Sequence, residues 1–238
     1  VGYRTGYDVY LETVGLTKTA QVSINWGDGT TNDTPLVKTT SVVGDGSSLV
    51  EVGANSGSGG TWVAGVTHTY ADNGTYIVVW KKNARIANIK NIPSSSNKWW
   101  RAETKVTIGG IHAGNVSPVS AVPPVVQVQD NKTFNYQVVA TDPNGDSLNY
   151  RWGTRAEFFW HASRAWDNVS YVPPAGMTLS SSGLISWDVG DSVVDNATVG
   201  TLWGSQIMVE DLDSSGNVKS YIPLDFFFKI ASSSNDPP

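Results

Sequence analysis

In the stretch Ala20-Gln21-Val22-Ser23-Ile24-Asn25-Trp26-Gly27-Asp28-Gly29-Thr30, apolar side chains recur at every second residue up to Trp26 and then give way to Gly-Asp-Gly. Period two is the spacing of a strand with one buried face. The glycines let the chain reverse, and Asp28 can accept backbone N–H bonds inside the turn. The same alternation returns in Tyr7-Val9-Leu11, Tyr76-Val78-Trp80, Val106-Ile108, Phe134-Tyr136-Val138-Ala140, Leu148-Tyr150-Trp152, Ile207-Val209 and Phe226-Phe228-Ile230. Turn residues such as Asp72-Asn73-Gly74, Asn144-Gly145-Asp146 and Ser215-Gly216-Asn217 separate these runs. No segment holds helical spacing over three turns, so the chain is expected to be all-β throughout.

The clearest boundary is Ser117 to Pro124, where Pro118, Pro123 and Pro124 remove ladder donors and stiffen the backbone. The expected division is a first sandwich over residues 1–116, a Pro-rich linker at 117–124, a second sandwich at 125–231, and the start of another linker at 232–238. Thr31 to about Val66 is polar and is expected to be an irregular insertion, with an exposed loop at Asn55 to Gly60. Ala84 to Trp100 is a second insertion, before the last strand of the first half. The chain opens at Val1 without initiator methionine or signal peptide, which points to a processed chain or a fragment.

The formal net charge is −5, the sequence pI is about 5.1, and no basic run exceeds Lys81-Lys82, so a nucleic-acid footprint is not expected. No apolar stretch approaches the roughly 18 residues of a membrane span. There are no cysteines, which excludes thiol nucleophiles, Cys-ligated metals and disulfides together. A charge-poor surface rich in Ser, Thr, Asn and Gly favours an extracellular or cell-surface setting.

Trp26-Gly27-Asp28-Gly29, followed by His68-Thr69-Tyr70 and then Gly74-Thr75-Tyr76-Ile77-Val78, resembles the hallmark of polycystic-kidney-disease-type (PKD) domains over roughly Tyr3 to Gly109. In the second half, three elements resemble putative-immunoglobulin or dystroglycan-type cadherin-like domains: Asp142-Pro143-Asn144-Gly145-Asp146, Pro174-Ala175-Gly176-Met177 with Ser182-Gly183-Leu184-Ile185-Ser186-Trp187, and Glu210-Asp211-Leu212-Asp213. Both families occur in bacterial surface proteins. The resemblance implies two tandem immunoglobulin-like Greek-key β-sandwiches in which Trp26, Asp28, His68 and Tyr70 mainly build the fold. Related adhesion repeats bind calcium at acidic turns, which makes Asp142, Asn144, Asp146, Asp211 and Asp213 the candidate oxygen ligands for Ca²⁺. The same residues also make good solvent-facing turns without any metal.

Trp62, Trp99, Trp100, Trp160 and Trp166, with His161 and Arg164, lie in inserted segments and are candidates for contact with a surface glycan or protein ligand. No zinc, phosphate-loop or triad motif is present, and no two carboxylates have a spacing that pairs them as acid and base. The expected function is therefore a non-catalytic adhesive or spacer segment working with neighbouring modules of the same chain. The alternative is a carbohydrate-binding accessory region of a secreted hydrolase, which would need those tryptophans in solvent.

Overall fold

The computed structural model describes residues 2–4, 23–32, 36–42, 48–55, 62–64, 66–83, 85–120, 125–159, 173–189 and 197–232. In the N-terminal half the strands are β1 (Gly2–Arg4), β2 (Ile24–Asn25), β3 (Thr31–Asn32), β4 (Leu36–Val42), β5 (Ser48–Asn55), β6 (Trp62–Ala64), β7 (Gly74–Asn83) and β8 (Trp99–Ile108). The C-terminal half begins with β9 (Val119–Ser120), β10 (Val125–Gln129), β11 (Thr133–Gln137), β12 (Ala140–Thr141) and β13 (Ser147–Trp152). After the single helical turn α1 (Arg155–Phe158) come β14 (Met177–Leu179), β15 (Leu184–Asp188), β16 (Leu202–Leu212) and β17 (Val218–Ala231). Among the described residues α1 and two short 3-10 turns are the whole of the helix, so the chain is all-β as its periodicity predicts.

The C-terminal half is a sandwich. One face of β10, β13, β16 and β17 packs on the three-stranded sheet β11-β15-β14. The alternation read from sequence sets which residues meet: Val126 and Val128 of β10 lie opposite Phe228 and Ile230 of β17, and all four are buried. They close on Ile185 and Trp187 of the facing sheet, both inaccessible to solvent. The Trp187 ring meets Trp203 edge-on at 5.6 Å and Phe228 at 5.9 Å, and its Nε1–H donates to the Ala175 carbonyl at 3.0 Å. Burying each such aromatic or branched side chain stabilises the fold by about 1.5–3 kcal/mol.

In the N-terminal half β7 and β8 form a ten-residue antiparallel pair from Gly74↔Ile108 to Asn83↔Trp99, with β2 and β3 added at its edge. The segment from Thr31 to Val66 differs from expectation, because β4, β5 and β6 join β1 in a four-stranded antiparallel sheet. Ser, Thr and Gly between Val37, Val50 and Val52 blur the alternation there, yet β-branched residues still suit a pleated ladder. Residues 56–60 of the expected exposed loop lie outside the described residues, as do Tyr7, Val9 and Leu11.

Sequence reading anticipates two separate interiors, and the structure adds a shared one. The large sheet runs β13-β16-β17-β8-β7-β2-β3, crossing from one half to the other at Tyr221↔Lys105. A second apolar cluster unites Ile89 and Ile92 from the N-terminal half with Phe158, Phe159 and Phe227 from the C-terminal half. It forms because the segment between β7 and β8 folds back across the boundary. The Lys90 amide donates to the Leu202 carbonyl at 2.9 Å, while the Asn91 side-chain amide bonds both the N–H and the C=O of Gly204 at 2.9 Å. Gly204 lets this segment pack closely, since a Cβ there would stand 2.9 Å from Ile92 Cδ1 and 3.3 Å from Ile89 Cγ2 and would push both side chains aside.

Candidate functional site at the junction of the two halves

Three polar arrangements sit on this frame. The first is the Gly-Asp-Gly turn after β2. Asp28 accepts from the Thr30 amide at 2.9 Å and from the Thr30 hydroxyl at 2.6 Å, and its other oxygen meets His68 Nε2 at 2.7 Å. The Thr30 bonds, followed by His68, lower the Asp28 pKa to about 2. The rings stack in series, Trp26 on His68 at 4.8 Å, His68 edge-on to Tyr70, and Tyr70 on Tyr76 at 4.1 Å. The Tyr70 hydroxyl donates to the Trp26 carbonyl and that of Tyr76 to the Asp72 carbonyl, each at 2.9 Å. Trp26, Asp28, His68 and Tyr70 are thus all engaged in contacts about the turn.

The second arrangement is a row of charges across the shared sheet. Arg101 Nε donates to Glu103 Oε2 at 3.0 Å, and the Tyr221 hydroxyl donates to Glu103 Oε1 at 2.6 Å. Burial, reinforced by that bond to Glu103, raises the Tyr221 pKa well above the ordinary phenol range. Arg151 grips both oxygens of Glu157 at 2.8 Å and bonds Glu210 at 2.6 Å, while Asn149 takes the second Glu210 oxygen at 2.7 Å. Thr154 caps α1 reciprocally with Glu157. Burial opposes the Glu157 charge, but Arg151 and the Thr154 amide hold its pKa below the usual value. Each glutamate in this row is paired with an arginine, and the Arg151–Glu210 pair ties β13 to β16. Beside it, buried Arg85 donates from Nη2 to the Phe158 carbonyl at 2.6 Å and to Asp225 at 3.2 Å. Its guanidinium lies 3.7 Å from the Phe158 ring centroid and 4.3 Å from that of Trp100.

The third is the acidic cluster. Asp142, Asp146 and Asp211 each bring a carboxylate oxygen to within 4.8 Å of the others. The turn Asp142-Pro143-Asn144-Gly145-Asp146 does this because Asp142 Oδ1 accepts from the amides of Asn144 at 2.8 Å and Asp146 at 3.1 Å. Asn144 itself is used elsewhere, its Oδ1 accepting from the Val116 amide at 2.7 Å. Asp213 stands apart in its own turn, where the side chain of Asn217 and the amides of Asn217 and Ser215 lower its pKa. Into the cluster projects a residue that sequence reading passes over: Lys219 Nζ bonds Asp146, donates to Asn115 Oδ1 at 2.7 Å and lies 3.9 Å from Asp211. As they stand, these residues do not fit a calcium site, which asks for six to eight oxygens, because an ammonium is already among the few on offer.

The aromatic candidates divide. Trp62 lies on β6, paired with Asn55 of β5. Trp99 and Trp100 are half-buried at the start of β8, and Trp100 packs edge-on against Phe227 at 5.8 Å, placing it in the shared interior. Trp160, His161, Arg164 and Trp166 lie outside the described residues. Arg85, Asp225, Tyr221 and Lys219 carry no local motif, and contacts between segments far apart in the chain give them their partners.

No protein-family model matches this chain. Over 172 residues it is 27% identical to integrin beta-like protein A of Dictyostelium discoideum, covering 67% of this chain and 7% of that protein. Integrin beta-like proteins B and C of the same organism are also 27% identical, each covered to 8% of its length. The chain therefore corresponds to a small part of the curated relatives it matches. Among solved structures, two tandem V-type regions of a v-region-containing chitin binding protein align with a TM-score of 0.36 and 12% identity, over 89% of this chain and 88% of that one. No helix among the described residues is long and apolar enough to cross a membrane.

Proposed function

We propose that this chain is a non-catalytic spacer segment of a longer extracellular or cell-surface adhesion protein, built to hold neighbouring modules at a fixed distance and angle. The observation that carries this reading is the seam: one β-ladder, one apolar cluster and the Arg85 and Tyr221 hydrogen bonds all cross between the halves. Pairs of sandwiches joined only by a flexible linker bend freely, whereas a shared sheet and core resist bending. The commitment of each glutamate in the charged row to an arginine supports a mechanical role over a catalytic one. The names of the integrin beta-like relatives support the adhesion setting. The carbohydrate-binding alternative loses Trp100 to the shared interior.

Cell-surface display tests the proposal. A ligand-binding module carried outward on this segment should capture its ligand as well as one carried on an unrelated rigid sandwich pair of equal length, and better than one on a glycine-serine linker. Capture by the segment alone, without the added module, would instead make it the adhesive element.

A further inference from the structure

Lys219 enters the acidic cluster from β17, the strand that also carries Tyr221 at the crossing. It does not fold outward as a surface lysine does; its side chain is only 10% exposed, and its Nζ bonds Asp146 of the turn and lies 3.9 Å from Asp211 of β16, two carboxylates that converge with Asp142. Asn115, from the N-terminal side of the boundary, completes the arrangement: its carbonyl oxygen accepts from Lys219 and its amide donates to Asp211 at 2.8 Å. Asp211 is wholly buried and its second oxygen accepts from the Ser220 amide, so its charge is fixed in place. One oxygen of Asp142 is buried beside them with no hydrogen-bond donor. Three carboxylates this close repel one another, and a cation placed among them relieves that repulsion. Burial works against the charge on Lys219, but Asp146, Asp211 and Asp142 together raise its pKa.

We infer that Lys219 is the built-in cation of this cluster, holding by a covalent tether the place that a divalent ion takes in metal-stiffened turns, so that the junction stays formed without metal. The tether gives the ammonium a high effective concentration that a free ion must overcome. This inference is independent of what the parent protein binds or spaces.

Thermal melting of the full chain in chelator and in millimolar calcium tests it, with three variants. The unmodified chain should melt at the same temperature in both. Lys219→Met keeps the apolar stem and removes the charge; it should melt several degrees lower in chelator and recover much of the loss in calcium, with terbium luminescence appearing only in this variant. Lys219→Arg should stay close to the parent in both conditions, and Lys219→Met combined with Asp146→Asn should lose the calcium response. A calcium-induced rise of several degrees in the unmodified chain would overturn the inference, as would a Lys219→Met variant that melts like the parent.

Discussion

The Tyr221 hydroxyl, from the C-terminal half, donates to Glu103 of the N-terminal half at 2.6 Å, and the Tyr221 backbone faces Lys105 in the ladder that joins the halves. One residue thus supplies both a rung of the shared sheet and a buried side-chain bond across it. Both groups are nearly inaccessible to water, so the bond has no aqueous substitute if it is removed.

Tyr221→Phe deletes that hydroxyl and leaves Glu103 Oε1 buried without its donor. The expected loss is about 1–3 kcal/mol, measured by urea denaturation followed through tryptophan fluorescence. Glu103→Gln in the same background should recover part of it, because the neutral amide is less costly to bury.

Arg85 is a sharper test of the seam. Arg85→Met leaves Asp225 and the Phe158 carbonyl buried without their shared donor, at an expected cost of about 3–5 kcal/mol. Calorimetry on this variant should show the single melting endotherm broadening or dividing as the halves uncouple.

Asp225 gives a pH signature. Burial raises its carboxyl to about 6 against the counteracting charge of Arg85. The folded protein therefore holds a proton that the unfolded chain, with a carboxyl near 3.9, releases. Stability should fall as pH rises from about 4 to about 6 and then level off, by at most about 2–3 kcal/mol from this group. Asp225→Asn should remove that slope in a series of melts across the range.

Asp28 behaves in the opposite sense. Its carboxyl is lowered to about 2, so the stability it lends the Gly-Asp-Gly turn is complete above about pH 4 and disappears as pH falls towards 2. Carboxyl chemical shifts followed by NMR should place its midpoint near 2, and Thr30→Val should move that midpoint upward by removing one of its hydrogen bonds.

The strands were legible because alternation and burial share a period. Val126 and Val128, or Phe226 and Phe228, announce their inward face in the sequence, and the Trp26 turn announces its own chemistry. The acidic turn was legible only in part: Asp142 and Asp146 close one local loop and meet Asp211, whereas Asn144 and Asp213, named with them, are engaged elsewhere. Lys219 and Asn115 could not be read, because the two residues that meet are 104 positions apart in the chain. The same holds for the segment before Trp99: Ile89 and Ile92 look like loop residues until Gly204 makes room for them. Thr31 to Val66 was misread because Ser and Thr satisfy a ladder without displaying an apolar face.

If the two halves form one mechanical unit, they unfold together, and differential scanning calorimetry of the full chain reads this. One endotherm whose calorimetric and van't Hoff enthalpies agree is expected. Two well-separated endotherms, each indifferent to Arg85→Met and Tyr221→Phe, would contradict it.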